Sequence, residues 1–283
     1  MDLKKINMGK IRDFLRTSPI LFSLGFTLLA ILVHEAFSNF FYYLLPDTVG
    51  MNIVSELMFI IWPLALVMLF GFSFIFRRRG IRAALGAALP KVLLFGTVLF
   101  GDMLSLLTNP ATDWKSGPEI FLGVLMLIGV GFREEILYRG VITNAIARKY
   151  GGSKKGLWIT ALSAGAMFGA MHIANVFHNV SFEGALLQAL SAFGSGVYYC
   201  AVYLRSGSIW GVAFLHSLVD AAGAAEVLLA NGLGDLTSVI EGTGLQAVIY
   251  IGFDLLLAAF LLRKSKRQKI FDRIQQLKSS EIV

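Results

Sequence analysis

The stretch Arg133-Glu134-Glu135-Ile136-Leu137-Tyr138-Arg139-Gly140 decides how this chain is read. It sets four charged residues between Gly-Val-Leu-Met-Leu-Ile-Gly-Val-Gly-Phe on one side and Val-Ile-Thr-Asn-Ala-Ile-Ala on the other. In a water-soluble protein this would be an ordinary amphipathic helix. The surroundings say membrane, where a single charge at mid-depth costs at least ~2.5–3.5 kcal/mol on insertion scales. Two carboxylates and two guanidinia at that depth call for a use.

Working outward, the 283 residues are 56% hydrophobic and only 15% charged, with a mean hydropathy of +0.71. Average globular chains carry about 25% charged residues, so the deficit points to lipid as the solvent. A spanning helix needs about 20 mostly apolar residues. Eight stretches qualify: 19–45, 51–76, 89–108, 118–147, 157–177, 182–204, 209–230 and 245–262. The expectation is an all-α, polytopic integral membrane protein with eight transmembrane helices, built as one membrane domain over 1–283. Its polar core lies at about 118–230 and a basic tail at about 263–283. The first stretch is too long for a signal-peptide core and lacks a small-residue cleavage site, so it is read as retained. No repeat, water-soluble domain or low-complexity segment stands out.

The basic residues give a topology. Lys4, Lys5, Lys10, Arg12 and Arg16 precede the first stretch, and Arg77, Arg78, Arg79, Arg82 and Lys91 fall between the second and third. Arg148, Lys149, Lys154, Lys155 and Arg205 follow the same parity, as does the tail from Arg263 to Lys278, while Lys115 alone falls opposite. The positive-inside rule then puts both termini in the cytoplasm, and the tail becomes a topology signal and an anionic-lipid contact. The net charge of +7 does not imply nucleic acid, because no basic domain interleaved with aromatics is present. The single cysteine, Cys200, excludes an internal disulfide and a cysteine zinc site.

Three of the stretches hold most of the intramembrane polar residues. One carries Glu134, Glu135 and Arg139. The next carries Phe168, His172, Asn175, His178 and Asn179, and a third carries His216 and Asp220. Glu135 with Arg139, Phe168 with His172, and His216 with Asp220 are each spaced i,i+4, on one helical face. Counted from the basic ends at ~1.5 Å per residue, Glu134, His172, His216 and Asp220 fall about 16–25 Å deep. One shared site near mid-membrane follows. Gly165 and Gly169 form a small-xxx-small pair on the His172 helix, and Ala221 to Ala225 is a second small-residue run; both read as close helix packing.

Imidazole with carboxylate is general acid–base equipment, and an imidazole donor can stabilise the oxyanion of an amide under hydrolysis. Two histidines with a carboxylate also match a catalytic zinc site with one open position. The residues therefore support water activation for hydrolysis, with or without metal. They equally permit a proton relay in a transporter, or plain structural ion pairing of Glu135 with Arg139. His34-Glu35 in the first stretch is followed by Ala-Phe-Ser, so no His-Glu-x-x-His motif exists.

The ordered set Glu134-Glu135-x-x-x-Arg139, Phe168-x-x-x-His172 and His216-x-x-x-Asp220 resembles the CPBP family of intramembrane proteases, the CAAX-protease and bacteriocin-processing, or Abi, family. The similarity covers about residues 132–225. It implies an intramembrane catalytic cavity among the motif-bearing helices, with Glu134 as general base on the attacking water and His172 positioning that water. It implies His216 and the residue at 220 as the oxyanion hole, and Glu135 with Arg139 as a supporting pair that orients Glu134. The eukaryotic branch typically has Asn at the last position; here Asp220 must either be protonated or hold the His216 tautomer while His216 alone donates.

The expectation is thus a membrane endopeptidase of glutamic type without a catalytic metal, zinc being the runner-up. Its partners are a peptide or protein substrate, prenylated or a leader peptide, and the lipid bilayer. The location expected is the cell membrane of a bacterium. The alternative is a non-proteolytic transport, immunity or scaffold protein that uses the same polar cluster.

Overall fold

Serines punctuate the chain and set the starts of the helices that matter. Ser116 accepts from the Glu119 backbone N–H while the Glu119 carboxylate accepts from Ser116 N–H at 2.9 Å, a reciprocal capping box with Pro118 in the first turn. Ser153, Ser181 and Ser208 cap the next three long helices without the reciprocal bond, each side chain accepting from the backbone N–H three residues on.

The computed structural model describes residues 8–44, 60–77, 79–242, 244 and 246–279. Its helices are α1 (Met8–Thr17), α2 (Pro19–Leu44), α3 (Ile60–Leu69), α4 (Ile81–Thr108) and α5 (Gly117–Glu135). α5 continues through a π-helical segment, Ile136–Thr143, into α6 (Asn144–Tyr150). Then come α7 (Lys154–His172) with a 3₁₀ extension Ile173–His178, α8 (Phe182–Ser206) and α9 (Ile209–Gly223). The chain ends with α10 (Ala225–Leu229), α11 (Leu236–Glu241), α12 (Gln246–Leu261) and α13 (Lys264–Ser279). The described residues contain no strand, only an isolated bridge between Trp114 and Ala230.

Among the described residues, four helical segments are long and apolar enough to cross a membrane: 19–37, 81–108, 154–178 and 182–206. A fifth is counted if α12 and α13, bent by 75° at their junction, form one broken span. Leu28, Leu32, Phe100, Phe121, Ile249 and Leu256 are all more than half exposed. A surface so apolar is the lipid-facing coat of a multi-pass membrane protein.

Other expected stretches are modified by the fold. The stretch 118–147 is interrupted by the π segment. The stretch 209–230 breaks after Gly223 into α9 and α10, and Gly223 has open space around it, so the small-residue run there is not a close helix approach at its glycine. Lys91, read as a loop residue, sits inside α4 and is 2% exposed. Residues 51–59 of the second stretch, Lys4, Lys5, Arg78 and Leu245 lie outside the described residues. Lys115, the odd charge of the topology count, donates to Val227 O at 2.6 Å and so satisfies a carbonyl at the end of α10.

The Gly165–Gly169 reading holds in full. A Cβ at Gly165 would lie 2.5 Å from a Val197 methyl, and one at Gly169 would lie 2.5 Å from the Ala189 carbonyl oxygen. A Cβ at Gly196 on the facing helix would lie 2.9 Å from Gly165 Cα. α7 and α8 therefore meet backbone to backbone, which holds His172 and Tyr199 in fixed relation. α13 folds back against α6 with Ile270 and Ile274 buried. From there Arg273 donates to Leu204 O at 2.7 Å, tying off the C-terminal carbonyls of α8. On the opposite side of the bundle, Ser181 N–H and its hydroxyl donate to Glu241, and these bonds hold that exposed carboxyl below its usual range.

Candidate functional site

The π segment begins one residue after Glu135, inside the motif. A π turn widens the helix and shifts every following side chain around the axis, and such turns recur at functional sites. Here Arg139 remains in reach of Glu135, with Nε 3.0 Å from Oε2 and both side chains fully buried. The guanidinium also donates to Gly196 O at 3.1 Å and lies 4.7 Å from the Phe168 ring centroid and 5.4 Å from that of Tyr199. The expected ion pair is present, wedged between α7 and α8.

Its other end reaches α9. Glu135 Oε1 lies 2.9 Å from His216 Nδ1. A carboxylate already paired with a guanidinium can only accept, so His216 Nδ1 carries the proton. His216 Nε2 then faces two further carboxylates, 3.4 Å from Asp220 Oδ2 and 3.8 Å from Glu134 Oε2. The Phe168 and Tyr199 rings, at 5.6 and 5.0 Å, pack against the imidazole. The close approach of α5 to α9 that permits these contacts is made at Gly131, where a Cβ would fall 2.4 Å from Ser217 Oγ.

His172 ends α7 with Nδ1 2.8 Å from the Phe168 carbonyl oxygen. The carbonyl accepts, so Nδ1 again carries the proton and Nε2 of the neutral ring is the acceptor. The two histidines thus differ by construction: His216 is held by a carboxylate behind it, His172 by a backbone carbonyl.

Glu134, His172, His216 and Asp220 all line one cavity of about 770 Å³, within the size range of ligand sites. Glu135 and Arg139 stand behind its wall. Every sequence-derived site residue is therefore at the cavity or one contact away from it. Arg133 lines it as well, with Nη2 3.6 Å from Glu134 Oε1.

Two features escape the sequence reading. Tyr199 packs on both His216 and Arg139, yet in sequence it is one aromatic in a buried helix, with nothing to single it out. The second is a polar node behind Tyr199. Lys91 Nζ contacts Asp254 Oδ2 and Ser195 Oγ, both at 2.8 Å, and lies 4.8 Å from the Tyr199 ring centroid. Two lone charges in apolar windows were the available signal.

Carboxylates and imidazoles that line one cavity are groups of the kind that can deprotonate water and stabilise an oxyanion. No curated protein and no solved structure matches the chain. A protein-family description does match, over residues 116–222: type II CAAX prenyl endopeptidase, Rce1-like. That region contains the three motifs and the helices α5 to α9 that carry them. Proteases of this family act on peptide or protein substrates at the membrane. Over residues 116–222 the chain is thus similar to the Rce1-like type II CAAX prenyl endopeptidases.

Proposed function

We propose that the protein is an intramembrane endopeptidase that cleaves a peptide bond near a membrane anchor or within a membrane segment. The observation that carries this reading is the placement of His216: pinned from behind by Glu135 at 2.9 Å, it turns Nε2 toward Glu134 and Asp220 at the cavity wall. In this reading Glu134 takes a proton from water as the water oxygen bonds to the scissile carbonyl carbon. His172 Nε2 accepts from the same water and orients it. The carbonyl oxygen, now an oxyanion, accepts from Nε2–H of His216, which the Glu135 carboxylate behind it holds as the imidazolium with both nitrogens protonated. Collapse breaks the C–N bond, and Glu134 returns its proton to the leaving amine.

The Glu135–Arg139 pair acts through His216, fixing its plane and its Nδ1–H, rather than through Glu134. That frees Asp220 from the tautomer-holding role, because Nδ1 already has its carboxylate. Asp220 is assigned to the oxyanion side as a second donor in its protonated form. Asp220→Asn is then expected to keep kcat within about tenfold of wild type, since an amide donates from the same place. Asp220→Leu is expected to lose ~10²–10³-fold. Equal losses in both would remove Asp220 from the oxyanion hole.

The reaction is assigned to these side chains without a metal. The support is that Glu134, His172, His216 and Asp220 do not bring three ligand atoms within 4.8 Å of one another, as the ligands of one ion would be. Cleavage by chelator-treated protein is expected to stay within about twofold of the untreated enzyme; its loss, with rescue by zinc, would place the metal in the reaction. The substrate is assigned to the class of prenylated or leader peptides. The chain is assigned eight spans with both termini cytoplasmic, in a bacterial cell membrane, supported by the parity of its basic residues. The deciding experiment compares peptides released from membranes containing the wild type and Glu134→Gln. Proton or solute flux that depends on Glu134, without cleavage, would instead make the protein a transporter.

A further inference from the structure

Away from the reaction cluster, a second group of side chains converges. His34 and Glu35 lie in the last turns of the membrane-crossing part of α2, and His178 is the final residue of the 3₁₀ extension of α7. One ligand atom from each of the three lies within 4.8 Å of the other two, the only such group of three among the described residues. Glu35 Oε1 and His178 Nε2 are 3.1 Å apart, and the two imidazole rings stand edge to face at 6.2 Å. In sequence, His34-Glu35 was the beginning of a motif that lacked its second histidine. The fold supplies one from 143 residues further along the chain.

We propose that His34, Glu35 and His178 form a binding site for a zinc ion, or a divalent transition metal of like preference, at the rim of the cavity. The donor set of two imidazoles and one carboxylate is that of a three-ligand zinc site with its fourth position open to water. Tetrahedral zinc with bonds near 2.0–2.2 Å holds its ligand atoms roughly 3.3–3.5 Å apart. The Glu35–His178 pair, at 3.1 Å, is close to that separation, and no pair has to close by more than about 1.5 Å. The His178 side chain is 43% exposed, which leaves it free to turn. A simple ion pair accounts for less. An ion pair needs only the carboxylate and one imidazole. A dication takes both imidazoles, as neutral ligands, together with the carboxylate.

The backbone also favours this placement. Asn179 has φ of 61°, the single non-glycine residue with positive φ among those described, and its N–H closes on Asn175 O. This left-handed residue ends the 3₁₀ turn and leaves His178 at its tip, against α2. All three ligands sit at the end of their spans remote from Arg16 and Lys154, where an aqueous ion has access. His34 and Glu35 also line the large cavity. Metal there would clamp α2 to the segment that follows His172. The site is independent of the reaction assigned above, and its test does not use cleavage.

The test is zinc binding by the full chain, purified in detergent, freed of any affinity tag and stripped with chelator. Elemental analysis and calorimetry are expected to give one zinc per chain with a micromolar or tighter Kd. His178→Ala and His34→Gln should each weaken binding at least tenfold, and Glu134→Gln should leave it unchanged. Zinc should raise the unfolding midpoint of the wild type and of Glu134→Gln, but not of the two histidine variants. Cobalt substitution gives a check on the wild type that needs no variant to fold, because its visible absorption reports a tetrahedral nitrogen–oxygen set. The proposal is overturned if the wild type shows no saturable binding or an octahedral cobalt spectrum. It is equally overturned if both histidine variants bind as tightly as wild type, or if binding is lost in Glu134→Gln.

Discussion

Glu134→Gln is expected to lower the rate of peptide cleavage by ~10²–10⁴-fold, the range for loss of a general base, while the protein folds as the wild type does. The amide has the shape of the carboxyl but cannot take the proton of water. Folding should survive because Glu134 faces the cavity and its neighbours, Arg133 and His216, stand at 3.6 and 3.8 Å, beyond hydrogen-bond length. Glu135→Gln is the informative contrast. Glu135 is fully buried and holds Arg139 and His216 at 3.0 and 2.9 Å. Its neutralisation leaves a dry guanidinium without its counter-charge, so the thermal midpoint should fall along with activity. The check is a cleavage assay in detergent or proteoliposomes paired with a melting curve on the same preparation. Full activity in Glu134→Gln would sink the mechanism, whereas unfolding of both variants to the same degree would make Glu134 structural.

The second large effect is expected far from the motifs. Lys91→Met removes the cation paired with Asp254, a carboxylate 1% exposed on α12, and leaves it the Ser195 hydroxyl at 2.9 Å. Removing one member of a buried pair costs about 3–5 kcal/mol, because the other charge is left in a medium that cannot solvate it. Lys91→Met should therefore lower the unfolding midpoint strongly. Lys91→Met combined with Asp254→Leu should recover most of the loss, since a well-packed apolar pair is close to neutral against a buried ion pair. Activity should follow stability only in part. Lys91 also lies 4.8 Å from the Tyr199 ring centroid, and Tyr199 in turn packs 5.0 Å from His216. The pair thus supports the wall on which His216 rests. A double variant no more stable than Lys91→Met would show that the node does not act as a charge pair.

Much of the geometry of the candidate site was legible because helical spacing fixes which residues share a face. Glu135 with Arg139 and His216 with Asp220 follow from i,i+4 geometry alone, and both contacts are present. The common depth of Glu134, His172, His216 and Asp220 followed from the rise per residue, and all four line one cavity. The glycine pair at 165 and 169 was legible for a similar reason, since only a missing side chain lets two backbones come that close. What a periodicity cannot carry is a change of period. The π segment at 136–143 contains no proline and an unexceptional glycine, so nothing local announces it. Lys91 was misplaced for the same kind of reason: a basic residue beside Pro90 reads as a loop, whereas α4 carries Pro90 within it.

By itself the sequence determined that the chain is helical and apolar, that three of its helices carry paired polar groups, and that those groups share a depth in the membrane. These are properties of single helices, set by composition, spacing and length. Only the tertiary structure decided which partner each charge takes. Glu135 serves His216 across 81 residues, Lys91 finds Asp254 across 163, and His178 closes on Glu35 across 143. The reason is physical. In a medium that does not solvate charge, each ionised group must find an opposite one, and which one it finds depends on which helices pack side by side.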